Sequence, residues 1–170
     1  MTEPDSKCVP YEKRGRYLVL TGILLIVQVV VFLYLWTIWP VLSFVLIGLY
    51  IATSYYQSYC CVYQDCPYIG EFCPAVSGIY LGNIFAKRLY SEDTPKSEKK
   101  FQTYKNLGIF FWLLMAFFPV FWIYQLGLYY AIAYIVFHLG YYLAFGLTIC
   151  PSCAIKETCP GGALQKQVFH

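Results

Sequence analysis

Residues 17–39 read YLVLTGILLIVQVVVFLYLWTIW, a run with no charged side chain and a single amide, Gln28. A helix needs roughly 20 mostly apolar residues to cross about 30 Å of hydrocarbon, so this stretch predicts a membrane-spanning helix. Pro40 follows directly, and a second apolar run, Val41 to Tyr59, starts beyond it. That immediate return reads as a retained helix rather than a signal peptide, whose short apolar core ends at a small-residue cleavage site. Further along, two more runs, Leu107 to Tyr124 and Leu128 to Ile149, are separated only by Gln125 to Gly127. Pro119 is expected to kink the third span or end its straight part. The expectation is an all-α integral membrane domain over 1–170, with four spans arranged as two repeated hairpins. A tail (1–16), a first hairpin (17–59), a cysteine-rich loop with linker (60–106), a second hairpin (107–149) and a cysteine-rich C-terminal segment (150–170) divide it.

Composition agrees with this reading. Of 170 residues, 59% are hydrophobic, 21% aromatic and only 12% charged, where soluble domains carry about 25% charged residues. The segments outside the spans are too short for a separate soluble catalytic domain of the usual size, about 50 residues or more. No nucleophile with a base partner, nucleotide fingerprint or carboxylate pair is present, so no catalytic residue is assigned and the chain is not expected to act as an enzyme alone. A formal charge of +3 from interspersed signs gives no case for nucleic-acid binding.

All twelve Lys and Arg fall in 1–16, 60–106 and 150–170, and so do all nine acidic residues. With four spans these segments share one face, and short basic loops stay cytoplasmic. Both termini and every cysteine are therefore expected on the cytoplasmic side. No span contains Asp, Glu, Lys or Arg, which argues against a proton or ion pathway. His138 has no second histidine in a span to complete a haem site and is expected in an interhelical hydrogen bond.

Eight cysteines, Cys8, Cys60, Cys61, Cys66, Cys73, Cys150, Cys153 and Cys159, lie in those three segments. In a reducing cytosol, clustered cysteines read as metal ligands or redox groups before structural disulfides. Span two leads into CCVYQDCPYIGEFCP (60–74) and span four into CPSCAIKETCP (150–160), each closing on Cys-Pro. Such a parallel repeat implies a pseudo-two-fold axis along the membrane normal, which sets the two segments side by side. Thiolates with almost no nearby histidine select iron–sulfur clusters, zinc or copper(I). Cys150-x2-Cys153 is one good zinc knuckle, but Cys61-x4-Cys66 is a poor second one. Iron–sulfur clusters accept looser spacing. The cofactor-binding set is Cys60, Cys61, Cys66, Cys73, Cys150, Cys153 and Cys159. Cys60 and Cys61 diverge as chain neighbours and leave one as a spare, so the core metal ligands are Cys61, Cys66, Cys73, Cys150, Cys153 and Cys159, with Cys8 the weakest further candidate. The arithmetic permits two [4Fe–4S] clusters, one on Cys60, Cys61, Cys66 and Cys73 and one on Cys150, Cys153 and Cys159 completed by Cys8, or a single one drawing ligands from both halves.

Four spans with cysteine segments closing on Cys73-Pro74 and Cys159-Pro160 resemble the membrane iron–sulfur, polyferredoxin-like subunits of the quinol-oxidising type that accompany periplasmic nitrate reductases. The resemblance implies electron transfer between a quinone pool and a partner, within a larger membrane redox complex. Two alternatives stand beside it: a non-catalytic subunit whose cysteine loops hold structural zinc or disulfides, and a quinone-linked thiol–disulfide oxidoreductase, which Cys150-x2-Cys153 at a four-helix membrane bundle resembles. The latter enzymes work on the oxidising face, which the charge rule does not assign to these cysteines. Residues 77–90 read as a short amphipathic helix on the lipid surface, and 91–106 as a solvated linker.

Overall fold

The computed structural model describes residues 14–66, 68–69, 81–91 and 96–153. Among them are five α-helices and no strand: α1 (Arg14–Ile38), α2 (Pro40–Tyr63), α3 (Asn83–Ser91), α4 (Glu98–Tyr124) and α5 (Leu128–Thr148), with a 3-10 turn over Cys150–Ser152. All but α3 are long and apolar enough to cross a membrane. At 1.5 Å per residue, the 25 residues of α1 extend about 37 Å.

The first two helices are joined by one residue. Trp39 is extended (φ −162°, ψ 117°) and Pro40 opens α2, because proline pushes its predecessor out of the helical region and needs no hydrogen bond at the first helical position. Ser43 donates to the Phe32 carbonyl at 2.9 Å, fastening the first turn of α2 to α1. The second pair turns at Gln125–Gly127, where Gly127 takes φ +136° with ψ 150°, a region essentially reserved for glycine. Tyr34 donates to the Trp122 carbonyl at 2.9 Å and ties α1 to the same end. Pro119 is buried, and α4 continues through it to Tyr124.

The observed helices overrun three expected boundaries: α1 begins at Arg14 instead of Tyr17, and the other two extensions face each other on α2 and α4. α2 continues past Tyr59 to Tyr63, and α4 begins at Glu98 instead of Leu107. The reason lies in a ladder of aromatic contacts. Phe101, Tyr104, Gly108 and Phe111 recur at helical spacing on one side of α4. Tyr63 stacks on Phe101 at 4.4 Å, Tyr59 meets Tyr104 at 4.7 Å and Tyr56 stacks on Phe111 at 5.4 Å. Gly108 lies so close to α2 that a methyl there would stand 3.6 Å from Tyr56 Cβ. The expected linker over 91–106 is therefore helical from Glu98 onward. Of the expected surface helix over 77–90, residues 77–80 lie outside the described residues, and α3 covers 83–90. Ala86 of α3 is buried, Phe85 meets Tyr55 edge-on at 5.9 Å, and Ser58 of α2 donates to the Gly82 carbonyl at 2.7 Å.

Two packed clusters mark the ends of the bundle. One gathers Val31, Leu35, Leu42, Leu46, Met115, Ile123, Ala131 and Tyr134, and the other Tyr17, Leu24, Cys66, Tyr68, Tyr141, Phe145 and Ile149. Outside them, large apolar side chains such as Ile26, Val30, Phe121 and Leu128 are more than half exposed. A water-facing surface of that kind would aggregate; against acyl chains it is the expected exterior. The chain is thus a multi-pass helical bundle suited to a membrane.

Candidate thiol site at the charged end of the bundle

Where α2 ends, its last carbonyls need partners. Gln64 caps the helix, and Asp65 adopts φ +47°, in the left-handed region. The Cys66 amide then donates to the Cys61 carbonyl at 3.0 Å, and the Asp65 amide to the Val62 carbonyl at 3.3 Å. These two bonds define a Schellman motif, in which the residue after the left-handed one folds back onto the residue that accepts its bond. Here that pair is Cys66 and Cys61. Their x4 spacing, unsuited to a zinc knuckle, is the spacing this cap uses for its apolar contact, and two thiols fill that role. The Cys61 thiol, hydrogen-bonded to Cys66, holds Cys66 below the ordinary thiol range, with the Tyr68 backbone acting in the same sense and burial opposing both. Cys66 is 5% exposed.

The second pair is built differently. The 3-10 turn after α5 begins at Cys150, and the Cys153 amide donates to the Cys150 carbonyl at 3.1 Å. This i to i+3 bond closes the turn and holds the two cysteines at its ends. Cys61, Cys150 and Cys153 pack, half-buried, against the cluster that contains Cys66, Tyr17, Tyr68, Tyr141 and Phe145. Tyr17 meets Phe145 at 6.0 Å across α1 and α5. The structure therefore brings four of the expected ligands, two from each cysteine segment, to one end of the bundle. Cys60 is half-buried and stands outside that cluster. Cys8, Cys73 and Cys159 lie outside the described residues. The five described cysteines are thiols, and among the described residues no three Cys, His, Asp or Glu side chains converge as a metal-binding group.

This is also the charged end. Arg14 and Arg16 open α1, Lys99, Lys100 and Lys105 line the first turns of α4, and Lys87 and Arg88 lie on α3. Lys96 pairs with Asp65, and the Tyr63 hydroxyl donates to Glu98, so that the cap of α2 is fastened to the start of α4. Neither link was legible beforehand, since the partners are 31 and 35 residues apart. The opposite end carries no charged residue: its connections are Trp39 and Gln125–Gly127.

A separate polar contact lies inside the bundle. The Gln28 amide stands 3.1 Å from His138 Nε2, while His138 Nδ1 stands 3.0 Å from the Tyr134 carbonyl. A carbonyl only accepts, so Nδ1 carries the proton and Nε2 accepts from Gln28. His138 thus makes the expected interhelical hydrogen bond, between α1 and α5.

No protein-family model, curated protein or solved structure gives a match to this chain.

Proposed function

We propose that this chain is a membrane iron–sulfur protein, an electron-transfer subunit of a larger membrane redox complex. The observation that carries this reading is the packing of Cys61, Cys66, Cys150 and Cys153 into one cluster at the charged end. The donor set contains thiols without histidine, the chemistry that suits iron–sulfur clusters over hard cations. A single [4Fe–4S] cluster drawing ligands from both segments, or two clusters if Cys60, Cys73, Cys159 and Cys8 complete a set of eight thiolates, would supply one-electron transfer. Tyr17, Tyr68, Tyr141 and Phe145 would shield the sulfurs from water, a lever that sets cluster potential. The basic residues gathered at this end support a cytoplasmic placement of the cysteines and both termini, and the two cysteine segments, each following a tightly turned helix pair, support the reading of two repeated hairpins. The likeness to polyferredoxin-like subunits belongs to this proposal, with quinone and neighbouring subunits as redox partners and membrane lipid as the surrounding solvent.

The test is iron, zinc and acid-labile sulfide per chain on anaerobically purified protein, with its visible spectrum. About four or eight irons with matching sulfide and absorbance near 400 nm are expected. Zinc alone would replace the proposal with a structural site, and metal-free, colourless protein would overturn it.

A second reading is favoured by the Cys61–Cys66 contact: a thiol–disulfide oxidoreductase linked to quinone. The two thiols would lose two electrons and two protons to the quinone, leaving a disulfide and a quinol. Peptide mapping after anaerobic incubation with a soluble quinone distinguishes it, because this reading requires a Cys61–Cys66 disulfide and the first does not.

A further inference from the structure

Among the described α-helices, α3 is the one too short to span, and its two faces differ in kind. The inward side holds buried Ala86 and half-buried Phe85 and Leu89. The outward side is a stripe at i, i+3 and i+4 made of Ile84, Lys87 and Arg88, all exposed; Ile84, a fully apolar side chain, is 63% exposed. Depth is set by the neighbours of α3. It docks beside Tyr55 and Ser58, about one to two turns before the end of α2, at the level where Tyr55, Tyr56, Tyr59 and Tyr104 form a layer of ring contacts. Tyrosine layers of this sort sit at headgroup depth.

An exposed isoleucine between two cations is unfavourable in water and favourable at a lipid surface, where the apolar side chain enters the acyl boundary and the cations snorkel to phosphates. We propose that the Ile84–Lys87–Arg88 face of α3 docks on anionic phospholipid headgroups of the leaflet on the cysteine side. The occupant is anionic lipid rather than a protein groove. The stripe pairs positive charge with one inserted apolar residue at headgroup depth, and basic residues near an anionic leaflet are drawn to it. Lipid bound there would press α3 onto α2 through the Phe85–Tyr55 and Ser58–Gly82 contacts. This inference is independent of what the cysteines bind.

Two measurements on the full-length protein test it. Native mass spectrometry would compare retention of phosphatidylglycerol and phosphatidylcholine by wild type and by K87Q/R88Q. Preferential phosphatidylglycerol retention is expected, weakened about tenfold in the double variant. Equal retention of the two lipids, or unchanged retention in K87Q/R88Q, would overturn the proposal. In nanodiscs, I84W fluorescence is read as the difference from wild type, which has four tryptophans. Quenching by lipids brominated near the headgroup is expected; quenching by aqueous iodide alone would overturn lipid docking and point to a protein partner on this face. Both variants leave Ala86 and Phe85 intact, and I84W reports depth without touching the charges.

Discussion

Asp65 holds φ +47° at the end of α2, a conformation that costs most residues about 1–2 kcal/mol but that glycine accepts freely and aspartate tolerates. Asp65→Gly should therefore retain the cap, losing only the exposed ion pair to Lys96, worth about 0–1 kcal/mol. Asp65→Val should cost about 1–2 kcal/mol and move Cys66 off Cys61. Diamide oxidation of metal-free protein followed by peptide mapping checks this: with no metal on the thiols, the Cys61–Cys66 disulfide should form readily in wild type and in D65G, and poorly in D65V. The buried Gln28–His138 bond gives a second expectation at this scale. A double-mutant cycle with Gln28→Leu and His138→Phe, read by unfolding in mixed micelles, should return a coupling of about 1 kcal/mol. Additive losses would mean the bond contributes nothing to joining α1 and α5.

Among the described elements the α2–α4 contact is the most extensive, and Gly108 is where the two helices approach. A methyl there would make ordinary contact with Tyr56 at 3.6 Å, so Gly108→Ala should be tolerated. Gly108→Leu should cost about 1–3 kcal/mol by forcing the helices apart, seen as a lower midpoint in thermal unfolding of the detergent-solubilised protein. This contact also explains what could be read beforehand. Uninterrupted apolar runs such as 17–39 announce a span because the solvent is hydrocarbon all round. The first turns of α4 gave no such signal: Glu98, Lys99, Lys100, Gln102 and Lys105 mask the Phe101–Tyr104–Gly108 stripe, whose meaning depends on tyrosines about 40 positions earlier. The cysteine segments were legible as residue types, and four of their thiols do meet at one end of the bundle. The Schellman pairing of Cys61 with Cys66 was hidden because a left-handed aspartate leaves less trace than a glycine would.

For the whole molecule, all described charge lies at the thiol end and none at the turns of the opposite end. Under the proposed topology an impermeant maleimide applied to intact cells should leave the native cysteines unlabelled and should label Leu126→Cys. The reverse pattern would invert the orientation, place the thiols on the oxidising side, and favour the thiol–disulfide reading over the cluster.

The single-residue link at Trp39 has a consequence for biogenesis. With no polar loop to carry across, α1 and α2 can enter the bilayer together as one wedge, and α4 with α5 likewise, without exporting hydrophilic chain. A short Gly-Ser-Asp insert after Trp39 would charge that passage with desolvation of its backbone and carboxylate, and should lower the yield of inserted protein far more than the same insert after Ser97, on the side that under the proposed topology never crosses.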